Sequence, residues 1–104
     1  MDTWIYLIKD NRTGYYKIGK SNDPQKRLRK LKQQPTLLPL PHDFELVHAW
    51  EEEATKEFEL HARYANKRVR GEWFCLSRWD VLDMARHLDE KGEDVIKRFN
   101  EIVK

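Results

Sequence analysis

A single cysteine, Cys75, stands in the 104-residue chain, which excludes an internal disulfide and a cysteine-rich zinc knuckle. No apolar run approaches the length of a membrane-spanning helix, so no membrane partner is expected. Met1-Asp2-Thr3 leads straight into a strand-like pattern, so no secretory signal is expected either. Internal repeats and low-complexity tracts are also missing. Together these absences point to a cytoplasmic protein, with Cys75 read as a small buried hydrophobe between Phe74 and Leu76.

What is present suits one domain with one modest core: 39% hydrophobic and 37% charged residues, with four each of Trp, Tyr and Phe as large anchors. The net charge is only +2, but it is unevenly spread. Residues 1–34 carry nine Lys/Arg against three Asp/Glu, whereas residues 42–59 carry one Lys against seven Asp/Glu. A basic front half suits a phosphate backbone and a nearby acidic stretch suits a divalent cation. Solvated helix faces would give the same counts.

The run Thr3 to Ile8 is β-branched and aromatic on both faces, as a central strand would be. Asp10 to Gly14 is a turn cluster, and Tyr15 to Gly19 a second strand, giving a hairpin. Asp23 is placed to cap a helix with Pro24 in its first position, running to Gln33 or Gln34. Pro35, Pro39 and Pro41 predict an extended linker. Phe44 to Trp50 alternates as a third strand, and Glu51 to Ala65 reads as a helix with an acidic first turn. Arg70-Gly71 breaks it, Glu72 to Leu76 is extended, and Ser77 with Asp80 resembles a capping box. Apolar periodicity returns over Val81–Leu88 and Val95–Val103, split at Gly92. The expected fold is α/β in the α+β sense: a small, mainly antiparallel three-stranded sheet flanked by helices. Residues 1–77 form its core, and residues 78–104 a C-terminal helical extension packed on the same domain.

Two polar side chains look misplaced for pure structure. On a wheel of about 100° per residue, Arg27 falls about 40° from Leu31 and about 60° from Pro24, at the border of the buried face. There it either grips a phosphate through two parallel hydrogen bonds or lays its stem along apolar surface. Glu57 falls within a stripe formed by Ala54, Phe58, Leu60, His61, Tyr64 and Ala65. An ionised carboxylate is costly to bury unless a cation or a salt bridge, here to Arg27 or Arg68, answers it. His61, four residues on, reads as a hydrogen-bonded core histidine or a support for Glu57. A zinc site lacks an evident third ligand. His42, His48 and His87 show no site-like spacing.

Taken in order, these residues resemble the GIY-YIG nuclease superfamily. That family opens with Gly-Ile-Tyr, then roughly ten residues, then Tyr-Ile-Gly; here Trp4-Ile5-Tyr6 is followed, ten residues on, by Lys17-Ile18-Gly19. Lys17 to Leu28 is similar to the family's strand-to-helix stretch, in which Arg27 takes the place of a catalytic arginine. Glu57, with Leu60 and His61, matches the helix glutamate that binds metal. Tyr64, Arg68 and Gly71-Glu72-Trp73-Phe74 resemble the continuation in a Lys-Ile-Gly branch found in phage and bacterial proteins. Trp4 replaces a glycine, and Lys17 a tyrosine that helps activate water.

The resemblance implies an endonuclease hydrolysing phosphodiester bonds, with DNA as the expected partner. Tyr6, Lys17, Arg27 and Glu57 would be catalytic, and Glu57 would bind Mg²⁺ or Mn²⁺. Lys20, Lys26, Arg29 and Lys32 would follow the backbone, and His61 would support Glu57. Tyr6 would position or deprotonate water, and Lys17 would act as a base or as a phosphate contact. Tyr6 and Lys17 share a face if the hairpin pairs them, and not if Tyr6 pairs with Ile18. A nuclease this small would rely on a homo-oligomer or a recruiting protein for specificity. The competing functions are a catalytically inactive nucleic-acid-binding module and a protein-interaction domain using Trp73 and Trp79, both of which also read as core.

Overall fold

The computed structural model describes residues 3–34 and 42–88. The β-branched and aromatic run forms β1 (Trp4–Asp10), and Ile5, Tyr6, Leu7 and Ile8 are all fully buried. Burial on both faces makes it the central strand that its sequence predicts. The chain turns over Asn11–Thr13 into β2 (Tyr16–Ser21). Asp10 secures this turn, because its carboxylate accepts from the Arg12 backbone N–H at 3.0 Å and from the Arg12 Nε at 3.3 Å. Gly14 supplies the left-handed backbone the turn requires, at φ +80°.

Helix α1 (Pro24–Gln33) starts where expected, the Asp23 side chain accepting from the Lys26 N–H at 3.1 Å. It stops at Gln34, which is extended as a residue preceding proline should be. Then follow β3 (Phe44–Glu51), α2 (Thr55–Arg63), a 3₁₀ turn (Ala65–Lys67), β4 (Arg68–Arg70), β5 (Trp73–Phe74) and α3 (Arg78–Leu88). The capping box at the start of α3 forms: Ser77 N–H donates to Asp80 at 2.8 Å, and Asp80 N–H to Ser77 Oγ at 3.2 Å.

The sheet runs β3-β1-β2-β5-β4, and each of these pairings is antiparallel. One face carries Ile5, Leu7, Ile18 and Phe74 against Leu60 of α2, Tyr64 just past its end, and Val81, Met84 and Ala85 of α3. The other carries Tyr6, Ile8 and Phe44 against Leu28 and Leu31 of α1. Among the described residues no helix is long and apolar enough to cross a membrane.

The α+β class is as expected, with corrections in detail. The sheet has five strands rather than three, because Gly71 (φ +56°) turns Arg68–Arg70 back onto Trp73–Phe74. Helix α2 begins at Thr55, not Glu51. Glu51 still pairs with Trp4 in the sheet, and the Glu52 N–H donates to the Thr3 carbonyl at 3.0 Å. Sheet pairing therefore overrides the local helix preference of the acidic run. The buried side of α2 is marked by Leu60 and by Tyr64 at its end. Phe58 is 79% exposed, and Ala54 and Ala65 face solvent. Cys75 is exposed because the extended chain alternates, sending Phe74 and Leu76 inward. Trp73 packs against the Tyr6 cluster, whereas Trp79 is 66% exposed and not core. The proline-rich linker at Pro35, Pro39 and Pro41, the break at Gly92 and the apolar stretch Val95–Val103 lie outside the described residues.

The two apolar residues of α2 should respond differently. Leu60→Ala is expected to cost about 2–5 kcal/mol in urea unfolding, and Phe58→Ala less than about 0.5 kcal/mol. A comparable loss for both would refute this orientation of the helix.

Candidate functional site

Tyr6 pairs with Gly19, and Ile8 with Lys17. This register lies two residues from a direct Tyr6–Lys17 pairing. Because strand side chains alternate with a period of two, both residues still project from the face covered by α1. The partner glycine has a steric role. A Cβ at Gly19 would sit 2.2 Å from the Tyr6 hydroxyl oxygen and 2.3 Å from its Cζ. The phenol lies across β2 in the space that a side chain would fill.

The hydroxyl of Tyr6 is buried and makes no well-formed hydrogen bond among the described residues, although the guanidinium of Arg27 lies close enough to interact with it. Burial pushes its pKa up to about 12, and the carboxylate of Glu72 pushes the same way. The guanidinium of Arg27 acts in the opposite direction, and the carboxylate of Glu57 again raises it. Three charges from three separate elements thus bear on one oxygen: α1 supplies Arg27, α2 supplies Glu57, and the β4–β5 turn supplies Glu72. Lys17 joins them through Glu72, its Nζ donating to Oε2 at 2.6 Å. The Lys17 side chain is 13% exposed, and its ammonium lies 5.7 Å from the centre of the Trp73 ring. Arg27, Glu57 and Glu72 thus lie within electrostatic reach of the Tyr6 hydroxyl, and Lys17 is linked to this group through Glu72.

Two details differ from the wheel. Arg27 is exposed rather than set at the edge of the core, and Glu57 is half-buried. Among the described residues Glu57 pairs with neither Arg27 nor Arg68; the ion pair in this neighbourhood is Lys17–Glu72. A one-dimensional wheel fixes which way a helix face turns, but not how far the neighbouring element extends over it.

His61 has a structural task. Its Nε2 lies 2.9 Å from the Ile18 carbonyl, which can only accept, so Nε2 carries the hydrogen. The ring also packs 5.0 Å from that of Phe74. This contact ties α2 to β2 one helical turn from Glu57.

Beside Arg27 a polar cavity of about 270 Å³ is lined by Lys20, Ser21, Asn22, Asp23, Lys26 and Lys30. Of the four residues expected to follow the nucleic-acid backbone, Lys20 and Lys26 line this cavity, and Lys30 joins them. Arg29 and Lys32 are exposed but lie outside it.

The donor set near Tyr6 fits a hard cation. Among the described residues there is no cluster of three His, Cys, Asp or Glu side chains, so an all-protein cage is not on offer. Mg²⁺ characteristically keeps several waters and takes one or two carboxylates plus phosphate oxygens. Glu57, uncommitted among the described residues, matches that requirement.

Two residues escaped the sequence reading. Glu72 was visible only within Gly71-Glu72-Trp73-Phe74, and no local pattern ties it to Lys17, 55 positions away. The steric role of Gly19 depends on the strand opposite it.

The geometry sets an alkaline limit. An unfolded tyrosine ionises near 10, whereas Tyr6 in the fold holds its proton to about 12, so the unfolded chain binds fewer protons between these values. Stability is full below about pH 10 and falls as pH rises through 12. Tyr16 and Tyr64 also hold their protons above the ordinary range through burial, so Tyr6→Phe should reduce this loss in part in urea midpoints measured between about pH 9 and pH 11; an unchanged slope would contradict the burial of the phenol. Gly19→Ala should cost about 1–3 kcal/mol by displacing the ring, and a neutral result would show that the ring does not lie there.

No curated protein and no solved structure matches the chain. The T5orf172 domain matches residues 3–89, from the residue ahead of β1 to just past the end of α3, and by that match the chain belongs to the T5orf172 domain family.

Proposed function

We propose that the protein is a metal-dependent endonuclease of the GIY-YIG kind, cleaving phosphodiester bonds in nucleic acid, with DNA as the substrate. The observation that carries this reading is the buried Tyr6 hydroxyl, which lacks a well-formed hydrogen bond and has Arg27, Glu57 and Glu72 acting on it. A buried polar atom of this kind is costly and needs a reason. A water and a phosphate oxygen brought in with substrate would supply the missing partners. Membership of the T5orf172 family and the basic cavity beside Arg27 support a nucleic-acid partner.

Each side chain then has a task. Glu57 would hold the divalent ion, Mg²⁺ or Mn²⁺. When bound, such an ion supplies charge neutralisation at the phosphate and assistance to the departing oxygen. With its proton held to about pH 12, Tyr6 enters the reaction as a neutral phenol. Its hydroxyl would orient the attacking water. Arg27, exposed and without an ion pair among the described residues, offers its planar donors to a non-bridging oxygen. Lys17 is held by Glu72, and its remaining N–H donors are available to the phosphate. Lys20, Lys26 and Lys30 follow the backbone away from the site, and His61 keeps the turn bearing Glu57 against β2.

With Mg²⁺ or Mn²⁺, the purified protein should convert supercoiled plasmid to nicked circles. Arg27→Ala should lower the rate by about 10²–10³-fold, and Glu57→Gln should abolish it without loss of helical circular dichroism. Nicking that survives both substitutions would refute the proposal. Salt-sensitive binding with no cleavage at any metal concentration would support instead a non-catalytic binding module.

A further inference from the structure

Paired residues of an antiparallel sheet share a face, and the pairings here trace a row across it. Ile8 faces Lys17, Lys17 faces Trp73, and Trp73 faces Arg70. The row lies on the face that carries Tyr6, since Ile8 and Trp73 pack in the Tyr6 cluster. Helix α1 covers one half of this face, through Leu28 and Leu31 against Tyr6, Ile8 and Phe44. Helix α1 reaches as far as β2, its contacts with β5 and β4 being at most sparse, and the sheet ends at β4, an edge strand. Arg70 is exposed there and forms no ion pair with any described residue. The nearest acid in sequence, Glu72, is engaged by Lys17.

A register shift lies between Arg68 and Arg70, whose partners Phe74 and Trp73 are adjacent in sequence. Unbulged, two residues two apart would face the same way. The bulge separates them. Arg68 goes to the opposite face, its guanidinium 5.4 Å from the centre of the Phe74 ring and on the side of the Leu60 cluster. One arginine of the pair is thus directed to the side of the candidate site and the other away from it.

We infer that Arg70 grips a backbone phosphate on the flank of the site opposite the α1 cavity, so that one nucleic-acid strand is held on both sides of the reacting bond. The inference rests on the nucleic-acid reading above and extends it to a surface which that reading leaves unused. Charge complementarity identifies the occupant. The row offers Lys17 and Arg70 with no uncommitted carboxylate between them. Strands lie about 4.8 Å apart, so Arg70 stands about 10 Å from β2. Successive phosphates of one DNA strand rise about 3.4 Å along the axis but stand about 7 Å apart through space, which places the Arg70 contact one or two phosphates from the one at Lys17. Contacts of this sort carry no base information; they fix the register of the backbone over the catalytic groups.

The bulge provides a matched control. Binding of a fluorescein-labelled DNA duplex, and of its single strand, would be followed by anisotropy in EDTA over a range of salt concentrations, so that no cleavage intervenes. Arg70→Ala should weaken binding several-fold and reduce the slope of log K against log salt by about 0.9 on duplex or about 0.7 on single strand. Arg70→Lys should restore the slope, and Arg68→Ala should leave both quantities as in the wild type. Equal effects of Arg68→Ala and Arg70→Ala, or an unchanged slope in Arg70→Ala, would overturn this inference alone. Wild-type protein that binds neither probe would overturn the nuclease reading and this inference with it.

Discussion

The arrangement depends on one steric fact: a tyrosine ring on β1 lies across β2 because the residue beneath it is Gly19. Any side chain there would lift the ring or move the strand. With the glycine in place, the hydroxyl is carried under the helix-covered face and toward the groups that approach from α1, α2 and the β4–β5 turn. Burial raises the cost of ionising the phenol. The same burial makes the opposed charges of Arg27 and of Glu57 and Glu72 act on it more strongly than they would in water.

Around that oxygen the protein sets charges in pairs of unequal commitment. Lys17 and Glu72 satisfy each other at 2.6 Å, whereas Glu57 and Arg27 have no such partner among the described residues. The two uncommitted groups have opposite signs and sit on different helices, each fixed to the sheet by contacts of its own. Leu28 and Leu31 seat α1, while Leu60, Tyr64 and the His61–Ile18 hydrogen bond seat α2. Each helix thereby holds its charge on its own part of the frame, and the two form no salt bridge with each other.

Helix α3 is tied to this frame by polar as well as apolar contacts. Arg63 donates to Asp83 at 2.9 and 3.1 Å, the Tyr64 hydroxyl donates to the same carboxylate at 2.6 Å, and Lys67 pairs with Asp80. Hydrogen bonds from Arg63 and Tyr64 hold the Asp83 carboxyl below its ordinary range. These links join the end of α2 and the 3₁₀ turn to α3, and through that turn they brace the chain entering β4. The edge strand, only three residues long, relies on this bracing and on β5, which explains why its register can absorb a bulge that turns one arginine to each face.

Much of the local structure was determined by the sequence. Asp23-Pro24 starts α1, Ser77 and Asp80 cap α3, and the apolar run at residues 4–8 forms a strand buried on both faces, because caps and periodicity act through atoms a few residues apart. The residue types at Tyr6, Lys17, Arg27 and Glu57 were equally legible. The tertiary structure alone decided the hairpin register, the five-stranded order, the late start of α2 and the outward turn of Phe58, Trp79 and Cys75. It also decided that Glu72 meets Lys17 and that Arg70 faces the Tyr6 side while Arg68 does not. Each of these depends on which backbone groups pair across a sheet and which surface a neighbour covers, and such long-range terms outweigh local preference wherever the two compete.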